Sequence, residues 1–190
     1  MKKKQKKYNQ KFKIFGRKKG RKSVHNISTE TFNKYLINSK TDLISKKIIL
    51  DIGSGSGEST LFLSRKHPND LIIASEIYQD GNTNLSQELY RSEINNVKIF
   101  NKNVLILFDE FKLHNLIKEI WILFPDPWPK KKHSKRRLIN SSFVKKVFYL
   151  LEENGKIYIA TDNSSYFISI LKTFYLSELF KWDNDLPDKW

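Results

Sequence analysis

The sequence predicts an α/β fold, a mainly parallel sheet with helices on both faces. Two observations carry this. Apolar runs of strand length alternate five times with segments of helical period. A polar or acidic residue closes each run, at Asp51, Glu76, Asn103, Asp126 and Asp162, and the carboxyl ends of such strands are where open sheets bind ligands.

The elements follow in order. Residues from about Thr29 to Ile44 are predicted helical, with Phe32, Tyr35, Leu36 and Leu43 available to pack. Lys47 to Ile52 reads as a buried strand, and glycines at 53, 55 and 57 lead into a helix through Leu61 and Leu63. His67 to Asp70 is a turn. Leu71 to Glu76 is the second strand, followed by a helix from about Asn84 to Ile94 and a third strand at Val97 to Phe100. A helix near Leu107 to Leu116 precedes the fourth strand, Ile120 to Phe124. Ser141 to Glu152 suits a helix that Asn154-Gly155 stops. Lys156 to Ala160 is the fifth strand, and a last helix runs from about Ser165 to Leu179.

A chain of 190 residues fits one domain. Residues 1–22 read as a basic, flexible segment and 23–190 as the domain. There is no cysteine, which excludes disulfides and thiolate metal sites. No apolar run approaches the ~20 residues of a membrane span. The lysine-rich start lacks the apolar stretch of a secretory signal, so a soluble, cytoplasmic protein is expected.

The net charge of +15 is concentrated in two places. Lys2 to Lys22 contains no Asp or Glu, and a second cluster runs from Lys130 to Arg137. Such patches bind polyphosphate backbones by releasing counterions. For Met1 to Lys7 a solvated tail explains the charge equally well. For Phe12 to Arg21 RNA contact is the better reading, because apolar residues and glycines interleave with the cations.

Asp51-Ile-Gly-Ser-Gly-Ser-Gly57 joins the first strand to a helix. Glycines let a ligand approach the backbone closely. The diphosphate fingerprint Gly-x-Gly-x-x-Gly is not met, and Glu58 would repel a phosphate there. The loop resembles instead the S-adenosylmethionine loop of Rossmann-like methyltransferases. Glu76 ends the second strand about twenty residues past the glycines, where a carboxylate accepts from ribose hydroxyls. Asn103 either contacts the adenine or caps a strand.

Phe124-Pro-Asp-Pro-Trp-Pro-Lys130 leaves the fourth strand and continues to His133-Ser-Lys-Arg-Arg137. A carboxylate beside an indole can hold a nucleobase, and the cations can hold the phosphates around it. The stretch resembles the signature of the bacterial-type tRNA (guanine-N7-)-methyltransferase family. Thr161-Asp162 with Tyr166 resembles a second motif of that family, and Phe15 to Arg21 its basic N-terminal segment. The similarity extends from about residue 14 to 180.

The resemblance implies a Rossmann-like, S-adenosylmethionine-dependent methyltransferase fold acting on N7 of a variable-loop guanine, position forty-six in tRNA numbering. It implies cofactor-binding roles for Asp51, Gly53, Gly55, Gly57, Glu76, Asn103 and Asp126. Asp126 also falls at the catalytic position. Lys130, Thr161, Asp162, Arg136 and Arg137 are the expected substrate-binding residues. Asn103 departs from the family's usual aspartate. The family's Thr-Lys/Arg-x-Glu motif and final strands are not found before Leu186-Pro-Asp-Lys-Trp190, so the C-terminal strands are expected to be missing or shortened.

Guanine N7 carries a lone pair and no proton, so transfer to it needs no general base. Guanine selection by N1–H and N2–H is assigned to Asp126 first and Asp162 second. Trp128 either stacks on a base or packs beside its two prolines. His25, His67, His114 and His133 show no ligand spacing, so no metal is expected. His133 reads as a phosphate neighbour. The expected partner is tRNA, with no membrane, and a monomer is favoured. Rival readings are a methyltransferase for another RNA, DNA or protein substrate, and a non-catalytic RNA-binding module. A nicotinamide dehydrogenase is a distant third on loop spacing.

Overall fold

Pentapeptides that are buried at every position need cover on both faces, and the first two strands are of this kind. In the computed structural model, which describes residues 28–37, 39, 43, 47–111 and 113–183, β1 (Ile48–Ile52) and β2 (Leu71–Ser75) are buried throughout. β3 (Val97–Phe100), β4 (Ile117–Leu123) and β5 (Leu151–Ala160) complete a five-stranded sheet of order β3-β2-β1-β4-β5. Every pairing is parallel. The basic start, its boundary near Ser23 and the residues after 183 lie outside the described residues.

Alternation along β1 divides the core. Ile48, Leu50 and Ile52 join Leu107 of α4 (Val104–Phe111), Phe143 and Val147 of α5 (Ser141–Leu150) and Tyr166 and Ile170 of α6 (Ser164–Tyr175). Ile49 joins Tyr35 of α1 (Thr29–Tyr35), Leu63 of α2 (Glu58–Lys66) and Leu85 and Leu89 of α3 (Gln79–Arg91) on the other face. Asp51 shares the register parity of Ile49, which directs it towards α2.

Several boundaries differ from the sequence reading. α1 stops at Tyr35 because Leu36 turns extended and bridges Ile99. α3 starts at Gln79, five residues before the expected Asn84, with Gly81 inside its first turn. α4 starts at Val104, because the Asn103 side chain accepts from the Leu105 N–H at 2.9 Å and caps it. β4 starts at Ile117, since Ile117 pairs with Ile48 and Leu151 while Lys118 satisfies its charge on Asp70 at 2.8 Å. Asn154-Gly155 does not precede the fifth strand. It is an irregularity within β5, where Asn154 has φ 63° and the register jumps from Ile117/Leu151 to Glu119/Lys156. A 3-10 helix at Lys131–Arg136 follows β4, and α6 is the last regular element among the described residues.

Candidate active site

Strand order reverses between β1 and β4, and in open parallel sheets ligands bind beyond the carboxyl ends of the strands at such a point. Asp51 is the next-to-last residue of β1 on one side, and Asp126 follows β4 on the other. Glu76, Asn103 and Asp162 follow β2, β3 and β5 at the same edge. A cavity of about 430 Å³ lined by Ser141, Ser142, Lys145, Lys146 and Tyr149 lies on α5 and shares no residue with this edge.

The glycine loop is built around two carboxylates. Asp51 is 1% exposed and accepts from Ser59 Oγ at 2.6 Å and Thr60 Oγ1 at 2.7 Å. Burial pushes its carboxyl above the ordinary range, the two hydroxyls pull it down in part, and the Glu76 charge raises it. Asp51 therefore fastens the loop to α2. Glu76 accepts from the Gly55 N–H at 3.0 Å through one oxygen, and from the Ile77 and Tyr78 N–H groups at 2.6 and 2.9 Å through the other.

The glycines divide by role. Gly53, Gly55 and Gly57 all have positive φ. A Cβ on Gly53 or Gly55 would meet nothing within 4 Å, so these two border open space. A Cβ on Gly57 would lie 2.5 Å from Leu85 Cδ1, so Gly57 is a packing glycine. Sequence reasoning missed Gly81, where a Cβ would lie 2.2 Å from the Gly55 carbonyl oxygen. It also missed Asn82, whose amide nitrogen donates to the Glu76 carbonyl at 3.0 Å while its buried Oδ1 has no partner. The Ser54 hydroxyl is likewise buried without a partner. The only signal for Gly81 was a glycine inside an otherwise helical polar stretch.

The loop after β4 is strained and clamped. Phe124 and Trp128 have φ of 50° and 41°, which side chains other than glycine rarely adopt. The Phe124 N–H donates to the Ala160 carbonyl at 2.8 Å, carrying the β4–β5 ladder one step past Leu123. Phe124 remains 66% exposed. Asp126 and Lys130 are exposed. The half-buried Trp128 packs against its own turn, with the Arg136 guanidinium 5.0 Å from the ring centre and the His133 ring edge-on at 5.8 Å. Partial loss of water, then the Arg136 and Lys130 cations, hold His133 below the usual imidazole range. Asp162 is exposed, and Thr161 Oγ1 accepts from the Asn163 N–H at 3.3 Å.

Arg137 departs from its neighbours. Its Nε donates to the Pro127 carbonyl at 2.8 Å and an Nη to Ser165 Oγ at 3.0 Å, and its guanidinium lies 4.8 Å from the centre of the Tyr166 ring. Glu76 is thus bonded to the glycine loop through Gly55, while Asp51 holds the start of α2 through Ser59 and Thr60. On the β4 side Arg136 and Arg137 contact Trp128 and Pro127 of the turn that carries Asp126 and Lys130, and Arg137 links that turn to the start of α6 beside Asp162. Among the described residues no group of acidic and histidine side chains could hold a metal. No helix of the described residues is long and apolar enough to cross a membrane.

An all-parallel sheet of order β3-β2-β1-β4-β5 with helices on both faces and a glycine loop after β1 has the Rossmann-like methyltransferase fold. A precorrin-6y C5,15-methyltransferase from Geobacter metallireducens shares this fold, with a TM-score of 0.56 at 18% identity over 78% of this chain and 67% of that one. The chain belongs to the putative methyltransferase family, whose model matches residues 45–189. A tRNA (guanine-N(7)-)-methyltransferase of Leptospira interrogans is 38% identical over 144 residues, 74% of this chain and 66% of the relative. One of Neorickettsia sennetsu is 30% identical over 154 residues, 80% of this chain and 70% of the relative. The chain thus spans just under two thirds of the Leptospira protein's length.

Proposed function

We propose that the chain methylates N7 of the variable-loop guanine of tRNA, using S-adenosylmethionine, in the cytoplasm. The observation that supports this best is a phosphate-repelling acidic cradle at β1 and β2 that faces, across the strand reversal, an exposed carboxylate followed by a cationic turn.

The cradle suits that cofactor. Open space beside Gly53 and Gly55, an unpartnered Ser54 hydroxyl and the Glu76 carboxylate fit a ribose-bearing ligand. Asp51 and Glu76, with Glu58 opening α2, favour a cation over a diphosphate. When bound, the cofactor supplies a methyl group on a positively charged sulfur. Glu76 would accept from the ribose hydroxyls, and Asn103 would be left its amide nitrogen for the adenine, its side-chain oxygen accepting from the Leu105 N–H.

Guanine N7 has no proton to remove, so the protein's task is alignment and exclusion of water. Alignment of this type supplies ~7–11 kcal/mol of a barrier in favourable cases. Asp126 accepts from guanine N1–H and N2–H. Adenine would leave that carboxylate unpaired, at a cost of about 1–3 kcal/mol or more. Asp162 and Thr161 border the substrate from the β5 side, and Lys130 and Arg136 neutralise nearby phosphates. The test is methyl transfer to an unmodified tRNA transcript and to a transcript whose variable-loop guanine is replaced. Transfer to the first alone supports the reading; equal transfer to both, or to neither, overturns it.

A further inference from the structure

We propose that Arg137 is a positioning residue that fixes the spacing between the Asp126 loop and the Asp162 loop, and is not a phosphate ligand. The proposal rests on the methyltransferase reading above and deepens it.

Arg136 and Arg137 end the same basic run, and their sequence context treats them alike. The structure separates them. Arg137 closes the 3-10 helix, its own N–H donating to the Ser134 carbonyl at 3.0 Å, and its side chain turns inward. One edge of the guanidinium holds the carbonyl of Pro127, the residue after Asp126, at 2.8 Å. Another holds Ser165 Oγ at 3.0 Å, and that hydroxyl donates to Asn163 Oδ1 at 2.9 Å. Asn163 follows Asp162 and caps α6. The floor of the clamp is Tyr166, fully buried, whose hydroxyl accepts from the Ile139 N–H at 3.1 Å. One planar, multi-donor group thus ties together the loop after β4, the start of α6 and the segment before α5. A lysine cannot replace it, because a single ammonium does not span two acceptors while stacking on a ring.

The β4 loop needs such a tie. Two of its residues sit at positive φ without being glycine, a conformation that surrounding contacts must hold in place. If the loop relaxes, Asp126 shifts relative to Asp162, and a displacement of about 1 Å costs on the order of 10²-fold in rate.

The experiment compares R137K, R137Q and S165A with the parent. Positioning predicts that R137K and R137Q lower kcat by about 10²-fold. The S-adenosylmethionine Kd, the tRNA KM and the salt dependence of tRNA binding should stay unchanged. S165A should move kcat in the same direction by less, and R137K with S165A should be non-additive. Amide hydrogen exchange should quicken in both Trp128–Lys130 and Asp162–Ser164 of R137Q, a readout independent of activity. A phosphate ligand would instead raise KM and flatten the salt slope by about 0.7–0.9 with kcat intact, which overturns the proposal. A merely structural arginine would lower Tm while leaving kcat per folded molecule unchanged, and that also overturns it. If R137Q does not fold, an unchanged kcat in both S165A and R137K has the same force. A parent that leaves tRNA unmethylated sinks the substrate reading alone, and the exchange measurement still decides the clamp.

Discussion

The Glu76 carboxylate accepts from the Gly55 N–H at 3.0 Å, so the end of β2 closes the loop that follows β1. The same side chain anchors the turn into α3 through Ile77 and Tyr78. A residue expected to meet a ribose is therefore also the fastener of the cradle that would receive it. E76Q should lower S-adenosylmethionine affinity about 10–100-fold, the worth of one to two charged hydrogen bonds. Isothermal titration of parent and variant checks this, and equal affinities would contradict it.

Gly81 is the second support of that loop. A Cβ there would press on the Gly55 carbonyl oxygen at 2.2 Å, a backbone atom that cannot rotate away. G81A should therefore cost about 1–3 kcal/mol in stability, the usual penalty of overpacking, and weaken cofactor binding as well. Urea unfolding measures the first effect and titration the second.

Asp51 makes stability depend on pH. Burial raises its carboxyl pKa in the fold, so the folded protein holds this proton more tightly than the unfolded chain does. Its contribution is full below the ordinary value of 3.8 and is lost as pH rises through the raised one. D51N removes the charge and keeps an acceptor for Ser59 and Thr60. Urea unfolding from about pH 4 to about pH 8 should show the parent losing stability relative to D51N as pH rises. A constant difference would contradict the assignment.

Asp126 is exposed and outside the core, so D126A should leave stability within about 0.5 kcal/mol. Methyl transfer should nevertheless fall by ~10²–10⁴-fold, the loss of about two charged hydrogen bonds to guanine. Binding of bulk tRNA should be nearly unchanged. Parent-like transfer by D126A would remove Asp126 from the mechanism.

Lys130 is exposed beside His133, which its cationic neighbours help to hold below the usual imidazole range. At neutral pH Lys130, unlike His133, therefore counts as a phosphate contact. K130A should flatten the dependence of log K on log salt by about 0.7–0.9, whereas H133N should leave it unchanged. Filter binding across a salt series distinguishes them.

Patterns that repeat along the chain made the sheet legible. The mostly apolar pentapeptides at Ile48–Ile52 and Leu71–Ser75 have no stable place except between two helical layers, and the acidic residues at their carboxyl ends, Asp51 and Glu76, fell at one edge. Boundaries were less legible where a side chain acts across the fold. Asn103 starts α4 through its own amide, and Lys118 sits within β4 because Asp70 meets it from a distant turn. Gly81 drew no reading from the sequence, since the Gly55 carbonyl that requires it lies far away along the chain. Arg137 read as a substrate-binding cation like Arg136, because nothing local marks the Pro127 and Ser165 oxygens that draw it inward.

The site of methylation tests the central claim most directly. Parent enzyme, S-adenosylmethionine and unmodified tRNA would be incubated together, and the digested nucleosides resolved by mass spectrometry against methylguanosine standards. The predicted result is N7-methylguanosine as the product, arising from the variable-loop position. A methyl group on another guanine atom, on another base, or on no nucleoside at all would contradict the account.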